Sequence, residues 1–237
     1  MIKPILFNTD MVRAIMDGRK TVTRRVMKPQ PVIDADRMWQ WKDCQWMDGG
    51  LGFPASGIED YAPYRPGDIL YVRETWAAWS RTMGTQPALY YKADGNAPDG
   101  IKWRPSIHMP REAARIFLRV TGVRVGRLQD ITVEGILAES VDVEMPPICK
   151  QSIDPNFPSD KQRDQWEKLS DAQREEYVAN RARHTYIGWC DYADRLFNAF
   201  KVLWDSTIRK ADRAIYGWEA NPWVFVIGFE RIDREEA

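Results

Sequence analysis

Between Lys20 and Arg25 the chain carries a lysine, two threonine hydroxyls (Thr21, Thr23) and two adjacent arginines (Arg24, Arg25). A lysine close to a hydroxyl can serve as base to an alcohol nucleophile, which is too weak to attack an acyl carbon unaided at neutral pH. It does so only where desolvation lowers its pKa. The arginines suit an anionic or nucleotide-like ligand, because a guanidinium presents a planar fork of donors. The same run also reads as a solvated basic surface behind a helix, and residue types alone leave both readings open.

Two further groups stand out. In Ile69-Leu-Tyr-Val-Arg-Glu-Thr-Trp76, strand alternation sets Leu70, Val72, Glu74 and Trp76 on one face. A carboxylate among three apolar residues is at the rim of a core, paired with a cation, or functional. The loop Lys102–Arg111, stiffened by Pro105 and Pro110, holds Trp103, Arg104, Ser106 and His108. It reads either as a packed tryptophan with a surface histidine or as a substrate wall, with an aromatic face for a base and polar tips to orient it.

The elements around these residues must position them. Ile5–Phe7 is a short strand. Asn8, Thr9 and Asp10 are N-cap candidates for a two-turn helix carrying Met11, Val12, Ile15 and Met16 on one face, and Gly18 ends it. Pro29 to Pro63 reads as a long irregular insertion that buries its tryptophans. After the turn Tyr64-Arg-Pro-Gly-Asp68 come strands over 69–76 and 88–91, then a long β segment over 115–128 with a bulge or bend at Gly122. Asp130 opens a helix to about Ala138. A second insertion over about 143–187 includes a charged helix capped at Ser170. Tyr192, Leu196, Phe200, Leu203 and Trp204 mark an amphipathic helix. The apolar run Asn221–Phe229 is a strand covered on both sides. Strands, short helices and one long helix in this order predict an α+β fold around a small mixed sheet or barrel, a single domain over 1–237 with insertions at about 29–62 and 143–187.

Charge and cysteine content narrow the function classes. The 237 residues carry 34 basic and 34 acidic side chains. Zero net charge disfavours a protein that neutralises many phosphates along an extended DNA duplex. Three cysteines, odd in number and far apart, give no disulfide framework and point to a reducing cytoplasm. With two histidines and no Cys-x-x-Cys or His-Glu-x-x-His, neither a metal nor another cofactor is expected. No apolar run has signal-peptide or membrane-spanning length, so no membrane partner is expected.

Gly18-Arg-Lys20-Thr-Val-Thr-Arg-Arg25 has the spacing Gly-x-Lys-x-x-x-x-Arg, which resembles the signature of the ASCH family. Pro66-Gly-Asp68 leading into Tyr71-Val-Arg-Glu74, and the closing strand from Trp223 to Phe229, extend the likeness over roughly residues 3–28, 63–138 and 190–233. The two insertions make the chain similar to the longer phage and prophage versions. The resemblance implies a β-barrel related to the PUA RNA-binding fold. Short bacterial members of the family are N(4)-acetylcytidine amidohydrolases using a lysine, a threonine three residues later and a glutamate on a later strand. These fall on Lys20, Thr23 and Glu74. A flat strand would point positions 20 and 23 to opposite faces, so the trio requires a turn between Gly18 and Arg24.

Three readings follow. The first is an amidohydrolase acting on an acylated exocyclic amine of a modified nucleoside, with Lys20, Thr23 and Glu74 as the catalytic trio. The second is a non-catalytic RNA- or nucleotide-binding module that stacks a base on an aromatic such as Trp103 and clamps phosphate with Arg24 or Arg25. The third is a ribonuclease using the same cations on the scissile phosphate. Arg24, Arg25, Trp103, Arg104, Ser106 and His108 are the expected substrate contacts.

Overall fold

The computed structural model describes residues 1–36, 38–42, 44–47, 61–79, 88–141, 143–144, 167, 170 and 190–236. The first strand, β1 (Ile2–Leu6), leads to Asn8, whose side chain accepts the Met11 backbone N–H at 2.8 Å and caps α1 (Thr9–Met16). Val12 and Ile15 are buried, which fixes the helix on the core. The helix stops at Gly18, where φ is +74° and a side chain would be strained. The backbone N–H groups of Arg19 and Lys20 then both donate to the Ala14 carbonyl, closing the helix end. This reversal launches β2 (Val22–Val26).

The segment after β2 contains more structure than its proline and glycine content predicts. β3 (Val32–Ile33), β4 (Met38–Trp41) and β5 (Cys44–Met47) form a three-stranded antiparallel sheet, where an irregular insertion is expected. The expected burial of tryptophans holds for Trp39 and Trp41, which join the main core. The Asp34 side chain organises the β3–β4 turn, accepting the backbone N–H groups of Asp36 and Met38.

The strand expected over 69–76 is two strands. β6 (Ile69–Arg73) belongs to the main sheet, and β7 (Trp76–Trp79) pairs with β8 (Ala88–Tyr91) in a separate hairpin. Alternation nevertheless holds across the break, and Leu70, Val72, Glu74 and Trp76 are all buried. β9 (Phe117–Arg127) and β10 (Trp223–Ile232) are the longest pair. Their register slips so that Gly228 faces Gly122 but Phe229 faces Val120, leaving Thr121 as the extra residue of a bulge. Between them in sequence lies α2 (Val133–Ala138), capped by Thr132 and not by Asp130, which ends a preceding turn of 3₁₀ helix.

The main sheet is five-stranded and mixed, in the order β1-β6-β9-β10-β2, with β1 parallel to β6 and the other pairs antiparallel. β10 is flanked on both sides, and Val224 through Ile227 are all buried, as its continuous apolar run requires. The fold is thus α+β around a mixed sheet. β1 and β2 are its outer strands, and among the described residues no ladder between them closes a barrel. The Arg25 side chain spans that gap, with Nη2 donating to the Leu6 carbonyl at 2.9 Å.

Backbone contacts divide the chain into two compact units, residues 1–140 with 207–237 and residues 141–206. The first holds the sheets and the core around Ile5, Leu70, Leu118 and Ile227. Most of the second, including the charged helix expected at Ser170, lies outside the described residues. Its longest described stretch is a helix from residue 190 on, which buries Tyr192, Leu196, Phe200 and Trp204 of the expected apolar face and half-buries Leu203. Among the described residues no helix is long and apolar enough to cross a membrane.

Candidate functional site

The turn after α1 delivers Lys20 into the interior. Its side chain has no solvent exposure, and its ammonium donates to Glu139 Oε2 at 2.6 Å, to the Glu139 carbonyl at 3.0 Å and to the Val22 carbonyl at 2.9 Å. An ammonium has three protons to donate, and all three are used. The other oxygen of Glu139 accepts from Arg24 Nη1 at 3.1 Å. One buried carboxylate therefore serves two buried cations. Glu139 reaches them because α2 docks on the start of β2, the Thr21 N–H donating to the Ala138 carbonyl at 3.0 Å.

Burial pulls the Lys20 pKa down. Glu139 pulls it back up, and the charges of Arg25 and Arg24 depress it further, leaving it below its ordinary value. Arginines keep their protons in proteins. Lys20 is thus the cation of this cluster most readily made neutral.

Strand alternation sends Thr23 and Arg25 to the core side of β2 and Arg24 to the other. Thr23 is buried, and its hydroxyl accepts from Arg25 Nη1 at 3.1 Å; it makes no hydrogen bond to Lys20. Arg25 lies over the Phe7 ring at 5.3 Å and Lys20 over the same ring at 5.7 Å, so Phe7 is what Lys20 and Arg25 share.

Arg25 also faces a cleft of about 470 Å³. Its wall is made by Phe7 and Asn8 at the start of α1, by Tyr64, by Thr75 just past β6, and by Ser106. The Tyr64 hydroxyl is turned away to donate to the Pro4 carbonyl, which leaves its ring as an apolar surface. Arg25 spends Nη1 and Nη2 on protein acceptors, while Nε has none among the described residues.

The expected trio is not assembled in this structure. Glu74 is gripped through both oxygens by Arg115, from Nε at 2.9 Å and Nη2 at 3.1 Å, and Arg115 in turn bonds Asp94 and lies 3.9 Å from the Tyr91 ring centroid. The position sequence reasoning assigns to Glu74, holding Lys20, is occupied by Glu139. Of the expected wall residues, Ser106 lines the cleft. Trp103 is half-buried elsewhere, Arg104 lies over Trp76 at 5.1 Å from its ring, and His108 is exposed.

No family model, curated protein or solved structure matches this chain. The functional assignment therefore rests on the geometry of these residues.

Glu74 offers a test of its own. Burial raises its pKa above 4.5, and Arg115 opposes this without overcoming it. A carboxylate with a raised folded pKa binds its proton more tightly in the folded state, so its contribution to stability improves as pH falls through that folded pKa toward 4.5. Glu74→Gln removes the titration. The stability of the native protein minus that of Glu74→Gln is expected to rise between pH 7 and pH 5 in urea titrations. A difference that falls over this range would show that Arg115 outweighs burial.

Proposed function

We propose that the protein binds a nucleoside or nucleotide in the cleft bounded by Phe7, Tyr64 and Ser106, in a sheet arrangement of the PUA type. The observation that carries this is Arg25. Its guanidinium is fixed on two sides by protein acceptors, and it faces the cleft between two aromatic rings with its Nε unbonded among the described residues. A volume of about 470 Å³ suits a single small ligand. Aromatic faces accept a base by stacking, and the hydroxyls of Thr75 and Ser106 with the Asn8 amide supply orienting groups.

The test is calorimetric titration with cytidine, cytidine monophosphate and N(4)-acetylcytidine. Arg25→Lys keeps the charge and loses the fork. It is expected to weaken binding about 10- to 100-fold, the worth of one charge-assisted hydrogen bond. Absence of binding by all three compounds, or equal binding by the variant, would overturn the proposal.

A second reading is favoured by the environment of Lys20. Once neutral and turned from its present acceptors to the Thr23 hydroxyl, Lys20 can take the Thr23 proton as Thr23 attacks an acyl carbonyl carbon on a nucleoside amine. The C–N bond breaks as the proton passes to the leaving amine, and water then cleaves the threonine ester to release the acid. Arg25, already bonded to the Thr23 oxygen, is placed to stabilise the oxyanion, and Glu139 takes the holding role assigned from sequence to Glu74. Deacylation of N(4)-acetylcytidine that is abolished in Lys20→Arg, a residue that cannot act as base at neutral pH, would select this reading over simple binding. Labelled RNA in the same assay tests for cleavage.

A further inference from the structure

The face of β2 opposite the cleft carries a second cavity, of about 290 Å³. Register dictates what lines it. Arg24 of β2, Val226 of β10 and Arg124 of β9 stand side by side in one row, and Val22, Gly228 and Gly122 in the next. The first row sets two cations about 10 Å apart at their Cα atoms, from the usual spacing between strands. The second row removes two side chains and leaves a floor of bare backbone. Gly135 of α2 lines it from above the sheet, so close that a Cβ there would lie 3.0 Å from Arg24 Nη2.

Three observations say that something belongs there. Arg24 is 4% exposed, yet among the described residues its Nη1 alone has an acceptor and Nε and Nη2 have none. Arg124 makes no hydrogen bond or ion pair with any described residue, and its nearness works against the charge of Arg24. Glu139, the carboxylate that pairs with Arg24, is already shared with Lys20. The row therefore has an excess of positive charge next to a space with an uncharged floor.

We propose that this cavity binds a phosphomonoester, with the phosphate between Arg24 and Arg124 and the organic part resting on the Gly122–Gly228 floor. Guanidinium donors match phosphate oxygens in pairs, and an anion here relieves the repulsion between the two arginines. The site is separate from the Arg25 cleft, since neighbouring residues of a strand face opposite sides. Its existence does not depend on what the cleft does.

The experiment is a two-dimensional amide NMR titration of the full chain with phenyl phosphate and, in parallel, with inorganic phosphate and phenol. Phenyl phosphate is expected to shift the amides of Gly122, Gly228 and Gly135. Inorganic phosphate should produce the same pattern more weakly, and phenol should produce none. Arg124→Ala removes an exposed side chain that has no partner among the described residues and is expected to weaken phenyl phosphate at least tenfold. Gly122→Val is expected to abolish binding, because a side chain at Gly122 meets no atom within 4 Å and would project into open space. Should that variant fail to fold, Arg124→Glu serves in its place and is expected to abolish binding by charge reversal. Shifts confined to residues of the Arg25 cleft, or an affinity unchanged in Arg124→Ala and Arg124→Glu, would overturn the proposal.

Discussion

Glu139→Ala is expected to destabilise the first unit by about 3–5 kcal/mol, the usual cost of leaving a buried charge without its partner. The side chains of Lys20 and Arg24 are 0% and 3% exposed, so removing the carboxylate strands Lys20 in the interior and leaves Arg24 only the small cavity on its far side. Lys20→Met is expected to cost less than Glu139→Ala, because Arg24 and Glu139 then remain as a matched pair. The double variant Lys20→Met/Glu139→Ala should be more stable than Glu139→Ala alone, since one of the two stranded cations is gone. Urea midpoints for the three variants measure this ordering. A Glu139→Ala protein within 1 kcal/mol of the native one would mean the cluster is open to solvent. The pH dependence has a definite sign as well. With the Lys20 pKa lowered by burial, the unfolded chain holds the extra proton between the folded pKa and 10.5, so stability from this group rises with pH across that window.

The residues of the site were more legible in the sequence than their partners. Gly18 as a helix stop, the turn that follows it and the apolar β10 all follow from local backbone and burial rules, and the structure has each of them. So does the burial of Glu74 on one face with Leu70 and Val72, because alternation acts over adjacent residues. What local pattern cannot supply is which cation meets which carboxylate. Lys20 and Glu139 are 119 positions apart, and Glu139 sits in no motif, as the C-cap of a six-residue helix. It meets Lys20 only because α2 docks on the start of β2. Glu74 was likewise visible as an odd carboxylate, and pairing with Arg115 answers the question its burial raised. The one signal that pointed toward Glu139 was weak: an acidic residue at a helix end, where the helix dipole disfavours negative charge, implies compensation by nearby cations.

Trp41→Ala is expected to cost about 3–5 kcal/mol, the usual loss for truncating a buried tryptophan. The segment containing Trp41 reads from its prolines and glycines as an appendage, and an appendage would tolerate the change. The structure makes it part of the main core instead. Trp41 is 2% exposed, its ring meets Phe225 of the central strand at 5.8 Å in an edge-on arrangement, and its indole N–H donates to the Pro29 carbonyl at 2.7 Å. Trp39 does the same one step along, meeting Trp223 at 5.9 Å and 87°. Both contacts are to β10, which pairs along one edge with β2 and so with Thr23, Arg24 and Arg25. Trp41→Phe keeps most of the apolar area and loses the hydrogen bond, so it should cost roughly 1–2 kcal/mol. Val32→Ala, on the exposed outer strand of the same small sheet, should stay within about 0.5 kcal/mol of the native protein. Urea unfolding of the three variants decides the matter. If Trp41→Ala were as mild as Val32→Ala, the small sheet would not support β10, and the positions of Arg24 and Arg25 would depend on the five-stranded sheet alone.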